Sequence, residues 1–385
     1  MDFSLTDAQI ALQKQTKEFA LQELGQDLIE KDRVSAVESM DWKQDWDKCA
    51  QFGVFAWNMP KQYGGQGMDT VSTILALEAL GYGCADNGLT LGINGQLWAA
   101  QEPILTFGNQ QQKDHYLPQM AKGQCLGAHA MTEPEHGSDS YNMTTRAEKT
   151  PEGYVLNGHK TYIGLAPACD MAVVFAVTDP SAGQWGISAF LVDADTPGFI
   201  RSAPQQKMGL RTSPMGELFF ENCHIPDTAL LGTEGAGVSV FQHTMVWERS
   251  FILCSHVGSM QRQLDECIAY AKKRKAFGKS ISQYQSVSNR IANMKLRLET
   301  AKLLMYRCAS LLDKKTCTAS EAAMANLHIA ESFVESSMDA IRIHGGKGYL
   351  PEYGIERDLR DAMGGVIYSG TSDIQRQVIV RMLGL

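Results

Sequence analysis

The periodicity of the chain changes twice, and this restricts its fold more than any other feature. Residues 1–120 read as helices, residues 121–230 as short strands between turns, and residues 231–385 as helices again. In the first region Thr6 and Gln9 fit a capping box ahead of a helix carrying Leu12, Phe19 and Leu24. The turn-rich PKQYGGQG (60–67) precedes the helical run TVSTILALEALGYG, and a third helical stretch follows near ILTFGNQQQKDHYLPQMAKGQ. In the middle, GYVLNGHKTYI (153–163), MAVVFAV (171–177), GISAFLVDAD (186–195) and GELFFENCHI (216–225) read as strands. No helical pattern separates them, so an antiparallel sandwich or barrel is expected. In the last region, runs from Val238 to Lys275, Gln283 to Asp313 and Ser320 to Ile343 suggest a bundle that also buries surface against another subunit. A short segment follows Thr371. The class is α+β: an N-terminal helical domain (1–120), a middle β domain (121–230) and a C-terminal helical bundle (231–385).

A net charge of −8 argues against nucleic-acid binding, which needs clustered Lys and Arg. Nine cysteines are scattered singly, with no C-x-x-C pair and no zinc spacing, so reduced buried thiols and no metal are expected. The start, MDFSLTDAQIALQ, carries Asp2 and Asp7 and lacks a signal-like apolar core. No stretch approaches the roughly 20 apolar residues of a membrane span. A cytoplasmic protein with no membrane association is the expectation. The glycine clusters at 64–67 and 345–348 do not form G-x-G-x-x-G between a strand and a helix, so no Rossmann unit is expected.

Three motifs carry a resemblance. AMTEPEHGSDS (130–140) offers glycine and small polar residues, which leave main-chain donors open to close approach. KRKAFGKSISQYQSV (273–287) interrupts a basic run with A-F-G-K and ends in Q-Y-Q. IRIHGGKGYLPEYGIERDLRDA (341–362) and IYSGTSDIQRQVI (367–379) complete the set. In these the chain resembles the acyl-CoA dehydrogenase family over nearly its whole length. The resemblance implies a four-helix bundle in the last region, FAD as cofactor, and a homotetramer with FAD at a subunit interface. It further implies flavin contacts from Met131, Thr132, Gly137, Ser138, Tyr162, Ile163 and Gly164. Arg274, Phe277 and Gln285, with Gly278 beside them, are implied to reach the FAD of a neighbouring subunit. Gly345 and Gly346 are implied to let the backbone approach FAD, with Arg342 a further cofactor contact, and Thr371, Ser372 and Asp373 to reach its adenosine diphosphate part. Substrate contacts are implied at Ser138, Arg249 and Gly370. The chain departs from the family in having Tyr162-Ile163-Gly164 where many members have Trp-Ile-Thr. It also has Arg342 for Gln and His344 for Phe.

Breaking a Cα–H bond beside a thioester needs a base and a donor for the enolate oxygen. Many members place the base before Gly-Thr; here that residue is Ser369, an alcohol without useful basicity. A second arrangement puts a glutamate on a helix of the last domain, and Glu248 stands there in HTMVWERSFILC (243–254). Phe241, Met245, Glu248 and Ile252 share one helical face, so the carboxylate sits on an apolar stripe that raises its pKa. A structural pair between Glu248 and Arg249 is the alternative reading. Glu133 and Glu135 belong to the flavin loop, and His344 reads as a packed histidine. The resemblance gives the Ser369 N–H and a flavin ribityl hydroxyl as donors to the thioester carbonyl.

W-E-R (247–249), S-G-T-S-D (369–373), R-I-x-GG (342–346), N-M-K-L-R-L-E (293–299) and Arg290-Ile291-Ala292 look like enzymes of secondary metabolism that oxidise a carrier-tethered aminoacyl group, such as L-prolyl. A short- or branched-chain acyl-CoA dehydrogenase of catabolism is the alternative. A flavin monooxygenase or oxidase on the same fold, and a binding protein without catalysis, are further ones. The electron acceptor, a flavoprotein or another oxidant, is left open.

Overall fold

The computed structural model describes residues 4–38 and 42–385; Asp2 lies outside the described residues. Helix α1 (Asp7–Glu23) opens on the capping box: the Gln9 N–H donates to Thr6 Oγ1 at 3.2 Å, and the Thr6 N–H donates to Gln9 Oε1 at 3.0 Å. Helices α2 (Leu28–Glu38), α3 (Trp42–Phe52), α4 (Thr70–Gly83) and α5 (Asn87–Gly95) follow. A π-helical turn (Gln96–Gln101) leads into α6 (Glu102–Phe107) and α7 (Gln110–Ala121).

The middle region forms strands β1 (Gly127–Ala130), β2 (Arg146–Thr150), β3 (Gly153–Gly164), β4 (Met171–Val177), β5 (Ile187–Asp193), β6 (Phe199–Arg201), β7 (Met215–Pro226) and β8 (Leu230–Leu231). They run in the order β6-β7-β3-β2-β4-β5-β8, with β1 added on β4. The sheet is mixed, which corrects the wholly antiparallel expectation. β1 pairs with β4 in parallel, as does β2 through Arg146 and Val177. β1 enters from α7 and not from a hairpin, so nothing obliges it to run against β4. Every residue of β4 is buried, because its two faces serve two cores. Ala172, Val174 and Ala176 face Leu156, Phe190 and Phe220, while Met171, Val173 and Phe175 pack with Leu117 and Met120 of α7.

The last region contains α8 (Gly237–Phe251) and α9 (Cys254–Lys273), then a two-strand ribbon of β9 (Lys275–Ala276) and β10 (Lys279–Ser280). After these come α10 (Gln285–Asp313), α11 (Ala319–His344), α12 (Ile355–Gly365) and α13 (Ser372–Met382). The run expected from Val238 to Lys275 is therefore two helices, separated at Ile252 and Leu253. Helices α8 to α11 pack on one another, and α12 and α13 lie on α11.

Helix α4 joins this bundle through α9, and two glycines set the distance. A Cβ on Gly81 would stand 1.8 Å from the Ser255 carbonyl oxygen, and one on Gly258 would stand 1.9 Å from that of Glu78. The helices thus meet backbone to backbone, a fit that side chains at either position would prevent. Among the described residues no helix is long and apolar enough to cross a membrane.

Candidate active site

Helix α8 turns Glu248 inward with Met245 and Ile252, and the residue is 9% exposed. Trp247 stacks on Trp98 of the π turn, ring centroids 5.7 Å apart, and both indoles meet Phe251. Glu248 Oε1 accepts the Ser369 hydroxyl at 2.5 Å, whereas Oε2 is buried and has no partner. Burial pushes the carboxyl above its ordinary value, against the Ser369 hydrogen bond and the Arg249 charge. A carboxylate in that state is a strong base with one oxygen free.

Ser369 stands on the turn between α12 and α13 with φ +56°, followed by Gly370 at φ +91°. For a serine that conformation holds only where the surroundings enforce it. They do: the Ser369 carbonyl accepts Gln375 Nε2 at 3.0 Å and Arg249 Nε at 3.3 Å, and the Gly370 carbonyl accepts Gln375 Nε2 at 2.8 Å. Thr371 caps α13, its hydroxyl accepting the Ile374 N–H at 3.2 Å. The Ser369 N–H finds no acceptor among the described residues, so the turn presents a free main-chain donor beside the base. The Tyr368 phenol is also buried without a partner. Asp373 is exposed and pairs with Arg376 at 3.2 Å.

The loop that follows β1 is fixed from beneath. Lys160 Nζ, fully buried, donates to the Met131 carbonyl and to Glu133 Oε1, both at 3.0 Å. Glu133 Oε2 also accepts the Thr144 N–H at 2.5 Å, and Oε1 the Thr145 N–H at 2.9 Å. Burial alone would raise the Glu133 carboxyl, but Lys160 and these hydrogen bonds hold it down to about 2. Next to Lys160 the β3–β7 register slips by one residue: Lys160 faces Leu218 and Ile163 faces Gly216. That bulge puts Tyr162 at φ +58° and leaves it 63% exposed, while Ile163 returns to the core.

These residues fit a flat, hydrogen-bonding ring system. A Cβ at Gly137 or Gly164 would meet nothing within 4 Å, so space is open there. The Thr132 and Ser138 hydroxyls have no partner among the described residues, and Tyr162 lies uncovered.

The remaining expected flavin residues lie elsewhere. Asn326 of α11 donates to the Arg249 carbonyl at 3.4 Å, which places that end of α11 beside the base. Arg342, Gly345 and Gly346 stand at its other end, roughly 27 Å along the axis at 1.5 Å per residue. There the His344 ring packs on Tyr270 at 4.2 Å and Nδ1 donates to the Ala340 carbonyl at 2.9 Å, so His344 is a satisfied, packed residue. Tyr270 bonds the Arg274 N–H through its carbonyl, bringing Arg274 to the same end. Phe277 is 96% exposed and Gly345 and Gly346 have open space around them; Gln285 is exposed, and Arg342 pairs with Asp339 at 3.4 Å. Within one subunit the far-end group and Glu248 therefore lie towards opposite ends of α11.

Sequence reasoning missed the Ser369–Glu248 hydrogen bond, the Lys160 anchor and the Trp98–Trp247 stack. None leaves a local pattern, since each joins residues at least 27 positions apart.

Comparison with known proteins is consistent along the chain. The models for the acyl-CoA dehydrogenase N-terminal, middle and C-terminal domains match residues 6–124, 128–223 and 235–384. The L-prolyl-(peptidyl-carrier protein) dehydrogenase of Pseudomonas fluorescens is 43% identical over 343 residues, 89% of this chain and 90% of that protein. The crystal structure of the prolyl acyl carrier protein oxidase AnaB superposes with a TM-score of 0.96 at 45% identity, covering 99% of this chain and 100% of that one. A structure of PigA with FAD and proline superposes with a TM-score of 0.95 at 37% identity, covering 100% of both chains.

Proposed function

The chain belongs to the acyl-CoA dehydrogenase family and is an FAD-dependent dehydrogenase, and from that premise we propose that it desaturates an aminoacyl thioester, L-prolyl in the first instance, tethered to a carrier protein in secondary metabolism. The observation that carries the chemistry is the buried Glu248 with Oε2 unpartnered, facing a turn whose Ser369 N–H is free. Glu248 is the catalytic base. The thioester carbonyl accepts the Ser369 N–H, which acidifies Cα, and the Cα proton passes to Glu248 Oε2. The chemistry that FAD supplies when bound is acceptance of the hydride from Cβ.

Thr132, Ser138, Tyr162 and Gly164, with main-chain groups from Met131 and Gly137, hold the flavin ring; Thr371, Ser372 and Asp373 serve its adenosine diphosphate part. Arg274, Phe277, Gln285, Arg342, Gly345 and Gly346 serve the FAD of a neighbouring subunit. The separation along α11, roughly 27 Å, supports that division and with it an assembly of more than one subunit, which we take to be a homotetramer. Arg249 and Gly370 shape the thioester side of the site, Arg249 through the Ser369 carbonyl. The carrier and the prolyl group rest on two of the relatives, whose names carry both.

Anaerobic bleaching of the yellow enzyme by a thioester panel tests this reading. Reduction by an L-prolyl carrier and not by short acyl-CoA thioesters is the expected result. Reduction by acyl-CoA alone would make it a catabolic dehydrogenase. Reoxidation in air without an added flavoprotein would identify oxygen as the acceptor.

A further inference from the structure

A carboxylate that can rotate freely offers a substrate proton two equivalent oxygens, and Glu248 has lost that freedom. Its Oε1 is taken by the Ser369 hydroxyl at 2.5 Å, its sole hydrogen bond among the described residues, and Oε2 is buried and unpartnered. The hydroxyl is itself well placed. The Ser369 backbone is held at φ +56° by Gln375 and Arg249, which reach its carbonyl from α13 and α8. Where many members of the family carry the base, this chain therefore carries a donor aimed at the base.

We propose that Ser369 is a positioning residue for Glu248: its hydroxyl grips Oε1 and leaves Oε2 as the one atom that can take the Cα proton. The proposal rests on Glu248 being the base. In the proton step the Cα–H bond breaks, its electron pair stays with the substrate as the enolate, and a new O–H bond forms at Oε2. Ser369 keeps its own proton throughout.

An O–H donor favours the charged form of a carboxylate, whereas burial opposes it. Of the groups around Glu248, Arg249 on the same helix supplies a positive charge and the Tyr368 phenol on the turn is the nearby titratable group. Helix α11 brings Asn326 to the Arg249 carbonyl, and the π turn brings the Trp98 indole against Trp247. Neither Arg249 nor Tyr368 bonds the carboxylate, so the direct contact is left to Ser369.

The test compares FAD-loaded Ser369→Gly, Ser369→Ala and Ser369→Cys with the wild type. Glycine suits the positive φ and so removes the hydroxyl at least cost to the backbone. Alanine removes it with the Cβ retained, and cysteine offers a weaker donor. Two readouts are taken: the pH profile of anaerobic flavin reduction by an L-prolyl thioester on a carrier protein, and an infrared titration of the Glu248 carboxyl. The infrared band is identified by its absence in Glu248→Gln. The Gly and Ala variants should both move the acid limb and the infrared titration upward by about one to two pH units. Cys should fall between, and reduction should recover most of its rate at alkaline pH. Limbs and titrations that superimpose on the wild type, with Glu248→Gln inactive, would overturn the positioning role alone. A Glu248→Gln enzyme that reduces its flavin at the wild-type rate would overturn the base assignment, and the positioning role with it.

Discussion

Arg249 directs its Nε to the Ser369 carbonyl at 3.3 Å and forms no ion pair with Glu248, its neighbour in the chain. The guanidinium thus braces the turn opposite the base and acts on the carboxylate only through its charge. Glu248 is therefore not taken up by a pair with Arg249, the structural alternative that the W-E-R sequence allows.

Replacing Arg249 with Met should loosen that turn without emptying the flavin site. A hydrogen bond from a charged group is worth about 1.5–3 kcal/mol, roughly one to two orders of magnitude in rate. Flavin reduction should fall by that amount with FAD content unchanged, and its acid limb should move upward because a charge that favours carboxylate is gone. Stopped-flow reduction across pH measures both effects.

Glu248→Gln should bind FAD and lose about 10²- to 10⁴-fold in flavin reduction, the usual worth of a general base. Its stability should change in the opposite sense. Burial raises the Glu248 carboxyl above its unfolded value, so the charged form costs stability at pH values above the folded pKa and costs nothing once both states are protonated. Thermal melts should therefore show the Gln variant stabilised at neutral pH, with the gain fading as pH falls below the ordinary glutamate range.

Lys160→Met would leave Glu133 buried without its cation. Breaking a buried pair from one side costs about 3–5 kcal/mol, and the double variant with Glu133→Gln should recover much of it. The Met131 carbonyl also loses its donor, so weaker FAD retention on dilution is expected. Because the Glu133 carboxyl is held down to about 2, its contribution is present above the ordinary glutamate value and is lost as pH falls towards 2. The wild type should show that acid loss in urea titrations and the double variant should not.

Gly258→Ala places a methyl 1.9 Å from the Glu78 carbonyl oxygen and must push α4 from α9. Overpacking of this kind costs about 1–3 kcal/mol. Gly95, with nothing within 4 Å of its Cβ position, is the control: Gly95→Ala should leave the melting temperature unchanged or raise it.

The fold was readable wherever local pattern and environment agree. The Thr6–Gln9 box, the run from Thr70 to Gly83 and the strand at Met171–Val177 all sit where their residues indicate. Pattern failed where the third dimension decides. Strand β1 is four residues whose direction depends on α7, and the π turn at Gln96–Gln101 is a local adjustment of helical winding that residue spacing does not encode. At the site, the face containing Met245 and Glu248 could be inferred from helical spacing. That the Ser369 hydroxyl would reach Glu248 across 121 positions could not, because the turn's positive φ is set by Gln375 and Arg249 and not by its own sequence.

The length of α11 has a genetic consequence. Under the assignment made above, a chain with Glu248→Gln keeps an intact far end, and a chain with Arg274 and Gly346 altered keeps an intact base. Each would be inactive alone. Mixed in one assembly, the first would lend its cofactor-holding end to the second, so two defective alleles would complement each other, and the restored activity would depend on the ratio in which the two chains are made.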